Sequence, residues 1–460
     1  MPPARAPRRC ASRLKGGFVV KRIWLLVAAI AIFGSGCGGS SGSAASPTPV
    51  PPKEVISPTN ASLEGIDCER ERAYVPIQPS SGSEAEVAAL DLSADPNTTD
   101  PRLKTIDLGA GFARGATIDG KQGLVLVVSE SATSIGFLDV IDESDNSLVA
   151  GSPFSFPTGS VPDVSDGIVF DSQSDTALAS MSTASAGCVG TSPNACTGMA
   201  SFNLATNSFG SLIPYATSVN NFGFDAKAEI AIASSDPIEP LTYALNLAGN
   251  EACTLNDDSL ESLNDGPEGA AVDADTGIWV VGQFSGVLTA VINLAGATFS
   301  GTPPNCTLNE FDSPPSNSII FNTGAEDFLP GVTINPVTHQ AFLSGLLDNT
   351  IALLNLPKHP VKYIDLSEIS AVDASLPVEP DGVRFQASIL PYADAIDTCH
   401  NRAYVVNQNK TFMAEIDLDK FKKNPDAINT ALPAGNCAGT STTLACDNQN
   451  GVRFFPLPTD

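Results

Sequence analysis

Three acidic residues recur at one spacing. Asp163, Asp265 and Asp327 each stand eight residues before an Asp or Asn that ends an apolar run: Asp171, Asp273 and Asn335. Asp166, Asn220 and Glu268 stand five residues before Asp171, Asp225 and Asp273, Arg114 holds the same place before Asp119, and Glu326 adds a further acid. Carboxylates brought together from separate loops repel one another unless a cation or a basic group lies among them. Oxygen ligands of this kind suit Ca²⁺. The chemistry open to such a set is Ca²⁺ binding and, with Asp166, Asn220 and Glu268 as ligands, metal-dependent hydrolysis. The competing reading is solvated loop acids, in a chain with 51 Asp and Glu.

Other motifs carry less. Gly115–Gln122 is close to a phosphate-binding loop, but the closing Ser/Thr is missing and the stretch reads as strand and turn, not as a loop opening a helix. Asp273-Ala-Asp-Thr-Gly277 resembles the start of a calcium loop, yet Phe284 stands where an EF-hand needs Glu. His339, His359 and His400 pair with no evident nucleophile and read as exposed. The recurring Asp itself reads as a turn residue, its short carboxylate accepting backbone N–H groups.

These residues belong to a repeat. An apolar strand, an Asp, a polar turn and a second apolar strand recur with the Asp at 67, 119, 171, 225, 273 and 397 and an Asn at 335. Spacings of about 50–60 residues, with three or four strands per unit, read as an all-β chain forming a single β-propeller, with seven blades. Extended loops are expected around Cys188–Cys196, Gly296–Pro315 and Ser367–Gln386. A short helix is expected near Asp419–Asn424. Arg402-Ala-Tyr-Val-Val-Asn407 followed by Met413-Ala-Glu-Ile-Asp417 resembles the YVTN-type propeller repeat, and Asp348–Leu354 resembles the middle of that repeat. The resemblance spans roughly 65–420 and implies a fold, not an activity. Gluconolactonase-like propellers hold a catalytic metal at one channel mouth on Glu, Asn and Asp; the acids above resemble that set in position alone.

The N-terminus reads as an export signal. Residues 1–22 hold seven of the 24 basic residues and no acid, and an 11-residue apolar run follows, Ile23–Phe33. That run is too short to span a bilayer and fits a signal-peptide core. Gly34-Ser-Gly-Cys37 then resembles a bacterial lipoprotein signal, which implies cleavage after residue 36 and lipidation of Cys37. Residues 37–59 read as a flexible Gly/Ser/Pro linker, and 60–460 as the propeller. Gly38, rather than Asp, after the lipidated Cys implies the outer membrane by the same resemblance. The location expected is an exported, membrane-anchored lipoprotein on the cell surface or periplasmic face. Beyond residue 36 stand 17 basic and 51 acidic residues, a net charge of −34 against −27 for the whole chain. That balance argues against nucleic acid as a partner.

Apart from Cys10 and Cys37, eight cysteines remain, without a CxxC, and an even number in an exported chain points to disulfides. Repeat equivalence implies Cys68–Cys399, where units 1 and 7 would meet, and Cys253–Cys306, within matching phrases of units 4 and 5. Shared loops imply Cys188–Cys196 and Cys437–Cys446. With no catalytic constellation in view, the reading is a monomeric binding platform for a protein, peptide or glycan. A Ca²⁺-dependent lactonase or other hydrolase with its site at the channel mouth is the alternative.

Overall fold

The structure is a computed structural model. It describes residues 65–458 apart from 78–83, 97, 110, 134, 158–159, 163–166, 184–195, 211, 216–218, 236–241, 250, 256–266, 284–287, 302–305, 310–317, 323–330, 346–349, 360–368, 376–390, 408–411, 424–437, 441–442 and 446–450. The signal segment, Cys37 and the linker to residue 59 therefore lie outside the described residues.

Among the described residues, seven mainly antiparallel sheets of four to six strands follow one another along the chain, each built chiefly from a consecutive segment, and Ala438–Thr440 pairs with Thr443–Ala445 in a further two-stranded sheet. The first strands of the seven are Gly65–Asp67, Gly111–Asp119, Ile168–Asp171, Val219–Asp225, Pro267–Asp273, Gly331–Asn335 and Pro391–Asp397, each ending at the recurring Asp or Asn. A four-residue turn leads to the second strand, and most neighbouring first strands pack on one another around the ring. The protein is a seven-bladed β-propeller.

Seven apolar clusters hold it together, one at each seam between blades. Leu126, Val128 and Leu138 of blade 2 meet Ile168, Phe170 and Met181 of blade 3, and Ala271, Val280 and Val291 of blade 5 meet Val332, Leu343 and Leu354 of blade 6. Successive side chains of a strand point to opposite faces, and a blade packs on a neighbour at each face. In the second strand of blade 1, Ala73 and Val75 therefore belong to the seam with blade 7, and Tyr74 to the seam with blade 2. Burial on both faces explains runs such as Ile278–Val281, where no polar alternation shows.

Blades 4 and 5 are joined through the backbone as well. The outer strand of blade 4, Glu251–Leu255, pairs in parallel with Thr307–Asn309, which belongs to an insertion between the third and fourth strands of blade 5. That segment pairs in turn with Thr298–Ser300. Cys253 and Cys306 form a disulfide at this junction, with Cα atoms 4.8 Å apart. The expected extended loop at Gly296–Pro315 thus contains two strands. The one at Ser367–Gln386 contains Ser370–Ser375, the fourth strand of blade 6. The short helix runs Leu418–Lys423, burying Leu418 and Phe421.

The ring closes without exchanging a strand. Blade 7 is completed by Val452–Pro456 of its own C-terminal segment. Closure rests on Tyr404, Met413, Phe455 and Leu457 packed against Val75, Ile77, Leu90 and Leu92 of blade 1. Arg453 adds hydrogen bonds to the carbonyls of Leu92 (2.9 Å) and Ala94 (3.4 Å) while paired with the buried Glu415. Cys68 and Cys399 form the disulfide across this seam, 331 residues apart in sequence. Cys196 opens the strand Cys196–Asn203, whereas Cys188, Cys437 and Cys446 lie outside the described residues.

Because closure lacks a shared strand, the Cys68–Cys399 crosslink is expected to contribute about 2–5 kcal/mol, the usual range for a native disulfide. The double variant Cys68→Ser/Cys399→Ser should unfold at a correspondingly lower denaturant concentration, read by circular dichroism. A midpoint equal to that of the oxidised parent would show that side-chain packing alone closes the ring.

Candidate functional site

Asp163, Asp166, Asp265, Glu326 and Asp327 lie outside the described residues. Asp163 and Asp166 fall between Ser160–Pro162 and Ile168–Asp171, two segments that both pair with Thr176–Thr183. Asn220 and Glu268 lie within first strands, each at a register shift: between Val219 and Asn221, and between Glu268 and Ala270. Blades 2 and 7 carry the same irregularity, at Ala113/Ala116 and Pro391/Ala393. The position five before the recurring Asp is thus at a bulge in four blades, and bulges re-aim side chains. In blade 5 the bulge is formed by Gly269 at φ 67°, a conformation glycine adopts without strain. Arg114, at this position in blade 2, lies 3.3 Å from Glu130 and over the ring of Phe112.

At the opposite end of each first strand the chemistry is described in full. The recurring Asp67, Asp119, Asp171, Asp225, Asp273, Asn335 and Asp397 are all buried. In every blade Oδ1 accepts the backbone N–H two residues on, and in five blades also the one three residues on, at 2.8–3.4 Å. The residue four positions on is left-handed in all seven turns: Glu71, Gly123, Asp175, Glu229, Gly277, His339 and Asn401, with φ of 51–74°. Its carbonyl accepts an N–H from the end of the third strand. The turn reading of the Asp therefore describes its first oxygen. The near-P-loop at Gly115–Gln122 is likewise strand and turn, and Asp273–Gly277 is a hairpin loop.

The second side-chain atom works between blades or within its own turn. His339 of blade 6 lies 2.6 Å from Asp273 Oδ2 of blade 5, and is partly buried rather than exposed as its sequence context implies. Asn335 Nδ2 donates to Asn401 Oδ1 of blade 7 at 2.9 Å. Asp397 Oδ2 takes His400 Nδ1 at 2.8 Å, and Asp171 Oδ2 takes the Ser174 hydroxyl at 2.6 Å. In blade 1, Arg70 bridges Asp67 (2.5 Å) and Glu143 of blade 2 (3.1 Å). Asp119 Oδ2 is buried without a hydrogen-bond partner.

Three buried acids break the repeat pattern. The residue donating to the left-handed carbonyl is Leu in six blades (92, 204, 247, 294, 356, 418) and Glu143 in blade 2. Burial, reinforced by Asp67 and opposed by Arg70 and Arg72, raises Glu143 to about 8. Asp139 occupies a third-strand place that is Ala in five of the other blades and Tyr243 in blade 4. Burial raises it to about 7, against one hydrogen bond from Ser129 at 2.5 Å. Asp394 stands where other first strands place Ala116, Ile168, Phe222, Ala270 and Val332; burial raises it to about 8, against the Ser344 hydroxyl at 3.3 Å.

Among the described residues, Cys68, Asp397 and Cys399 bring three potential ligand atoms within 4.8 Å of one another, but both sulfurs belong to the disulfide and offer no thiolate. A cleft of about 210 Å³ opens between blades 3 and 4, floored by Leu178, Met199 and Phe224 with Asp171 and Glu229 on its lining.

No protein-family model matches the sequence, and no curated protein matches it. Among solved structures, a chain in the crystal structure of a mitotic checkpoint complex is similar at 8% identity and a TM-score of 0.46, covering 81% of this chain and 96% of that one. A chain of Kuenenia stuttgartiensis hydrazine synthase is similar at 10% identity and a TM-score of 0.38, covering 81% of each. At such values these likenesses carry no argument; the class rests on the seven sheets themselves.

The buried acids set a direction for pH dependence. Each is protonated in the folded chain at pH values where the unfolded chain has it ionised. The stability this contributes is fully present below the unfolded value, near 4, and is lost as pH rises through 7–8. Asp139 and Asp394 should each add a slope of about −1.4 kcal/mol per pH unit within that window. The melting temperature should fall from pH 5 to pH 8, and Asp139→Asn and Asp394→Asn should each flatten the fall. A profile unchanged in both variants would show that neither carboxyl titrates there.

Proposed function

We propose that this is an exported, lipid-anchored lipoprotein whose propeller, built on YVTN-type repeats, is a rigid binding platform for a protein, peptide or glycan. The observation that carries the reading is the pair of disulfides, Cys68–Cys399 and Cys253–Cys306. Such crosslinks form and persist in oxidising compartments. Both join separate blades and stiffen the scaffold rather than serve a redox centre. The signal-like segment, Cys37 and the linker to residue 59 support tethering outside the cytoplasm. The seven-bladed ring supports a platform, since this architecture holds loops from many blades on one frame.

The test is metabolic palmitate labelling with membrane fractionation of the intact protein and of Cys37→Ser in a bacterial host. The parent should be labelled and sediment with membranes, and the variant should be unlabelled and leave them. Equal fractionation of both would remove the anchor. Photo-crosslinking on intact cells should then give a discrete adduct. Turnover of lactones or esters at enzymatic rates would replace the platform with the hydrolase reading.

A further inference from the structure

The cleft between blades 3 and 4 is a seam that its side chains do not fill. Counted from the recurring Asp, Thr176 holds the place of Ile278 in blade 5 and of Leu124 in blade 2. By strand register, Ser201 holds the place of Val291 and of Val140. Those four apolar residues pack into their seams with the next blade. Two short hydroxyl side chains in their stead leave about 210 Å³ open. Leu247 is only half-buried beside it, whereas Leu356, at the same place in blade 6, is 2% exposed. Protein interiors are close-packed and leave few such openings, so the space points to an occupant.

The lining specifies its chemistry. Leu178, Met199, Ile213 and Phe224, all buried, give an apolar floor. Asp171 and Glu229 add two carboxylates, and among the described residues no Lys, Arg or His lines the cleft. Asp171 accepts the Gln173 N–H at 2.9 Å and the Ser174 hydroxyl at 2.6 Å, one on each oxygen. A carboxylate has about four acceptor sites, so both oxygens can take a further donor. The seam of blades 5 and 6 shows what suits this place. There His339 holds the position of Glu229, and its Nδ1 lies 2.6 Å from Asp273 Oδ2. Blade 4 puts an acid where blade 6 puts an imidazole, so the charge complement of Asp171 and Glu229 has to come from outside the seam.

We propose that the cleft takes a primary ammonium on a short alkyl stem, presented as a Lys side chain of a peptide partner. This rests on the platform reading and names the chemistry of its partner. The methylene stem would lie on Leu178, Met199 and Phe224. The ammonium, with three donors and no acceptor, would reach the carboxylates and hydroxyls of the lining. Lys carries that charge at neutral pH.

The experiment is saturation-transfer NMR of n-pentylammonium with the oxidised full-length protein at neutral pH, beside uncharged n-pentanol. The ammonium should bind with a Kd of about 1 mM, in keeping with its small size, and pentanol about ten-fold more weakly. Glu229→Gln, at an exposed position, should weaken the ammonium about three-fold. Thr176→Ile should abolish its binding, and Ile278 shows that the same strand place accepts Ile. A Lys-containing tripeptide amide should displace pentylammonium, and its Gln counterpart should not. Absence of ammonium binding, equal binding of pentanol, or binding unchanged in both variants would overturn the site. Failure of the Lys peptide to displace the probe would overturn a peptide as its source. The platform is judged apart from this: a cell-surface adduct that persists in Thr176→Ile would overturn the cleft as the docking point and leave the platform standing on another surface.

Discussion

A single side-chain oxygen, of a carboxylate in six blades and of an amide in blade 6, buried and bonded to backbone N–H groups, organises every blade. It closes the first turn, holds the residue four positions on in the left-handed region, and so aims that residue's carbonyl at the end of the third strand. A buried N–H without a partner is costly, so the turn tolerates few residues at this place. Asp and Asn offer a short acceptor at the right reach. Asn335 shows that the charge itself is dispensable for this task.

The other atom of the same side chain creates the problem the seams must solve. Buried among apolar strands, it needs a hydrogen-bond partner from its own turn or the next blade, a donor where it is a carboxylate oxygen and an acceptor where it is the Asn335 amide nitrogen. His339, Asn401, Ser174 and His400 are four separate solutions, and Arg70 is a fifth that reaches across to Glu143. A regular backbone thus carries irregular electrostatics. Neighbouring blades are matched pairwise, which gives each seam its own chemistry although the apolar packing is alike all round.

Much of this was legible in the sequence. The Asp spacing and the paired apolar runs establish the blade number, because a four-residue turn between two short strands leaves a local signature. The Cys68–Cys399 and Cys253–Cys306 pairs follow from equivalent places in the repeat. The insertion strands Thr298–Ser300 and Thr307–Asn309 were not legible. They are three residues each, and one pairs in parallel with another blade, so no local periodicity marks them. The buried acids were hidden for a different reason. Asp139, Glu143 and Asp394 look like any others in an acid-rich chain until the strands are aligned and the positions prove to be those of Ala or Tyr, of Leu, and of Ala, Ile, Phe or Val respectively. Of the channel-mouth set, Asn220 and Glu268 fall in first strands, and Asp163, Asp166, Asp265, Glu326 and Asp327 lie outside the described residues.

The parallel pairing of Glu251–Leu255 with Thr307–Asn309 makes the ring mechanically uneven. Blades that meet through side chains can slide or part by losing apolar contact. Blades 4 and 5 cannot part without tearing a sheet and straining a covalent bond. They form one double-width plate, and the seam of blades 7 and 1 carries the Cys68–Cys399 crosslink without a shared strand. A pull on the ring is therefore carried past both crosslinked seams to the joints held by side-chain packing, so that the frame opens there first.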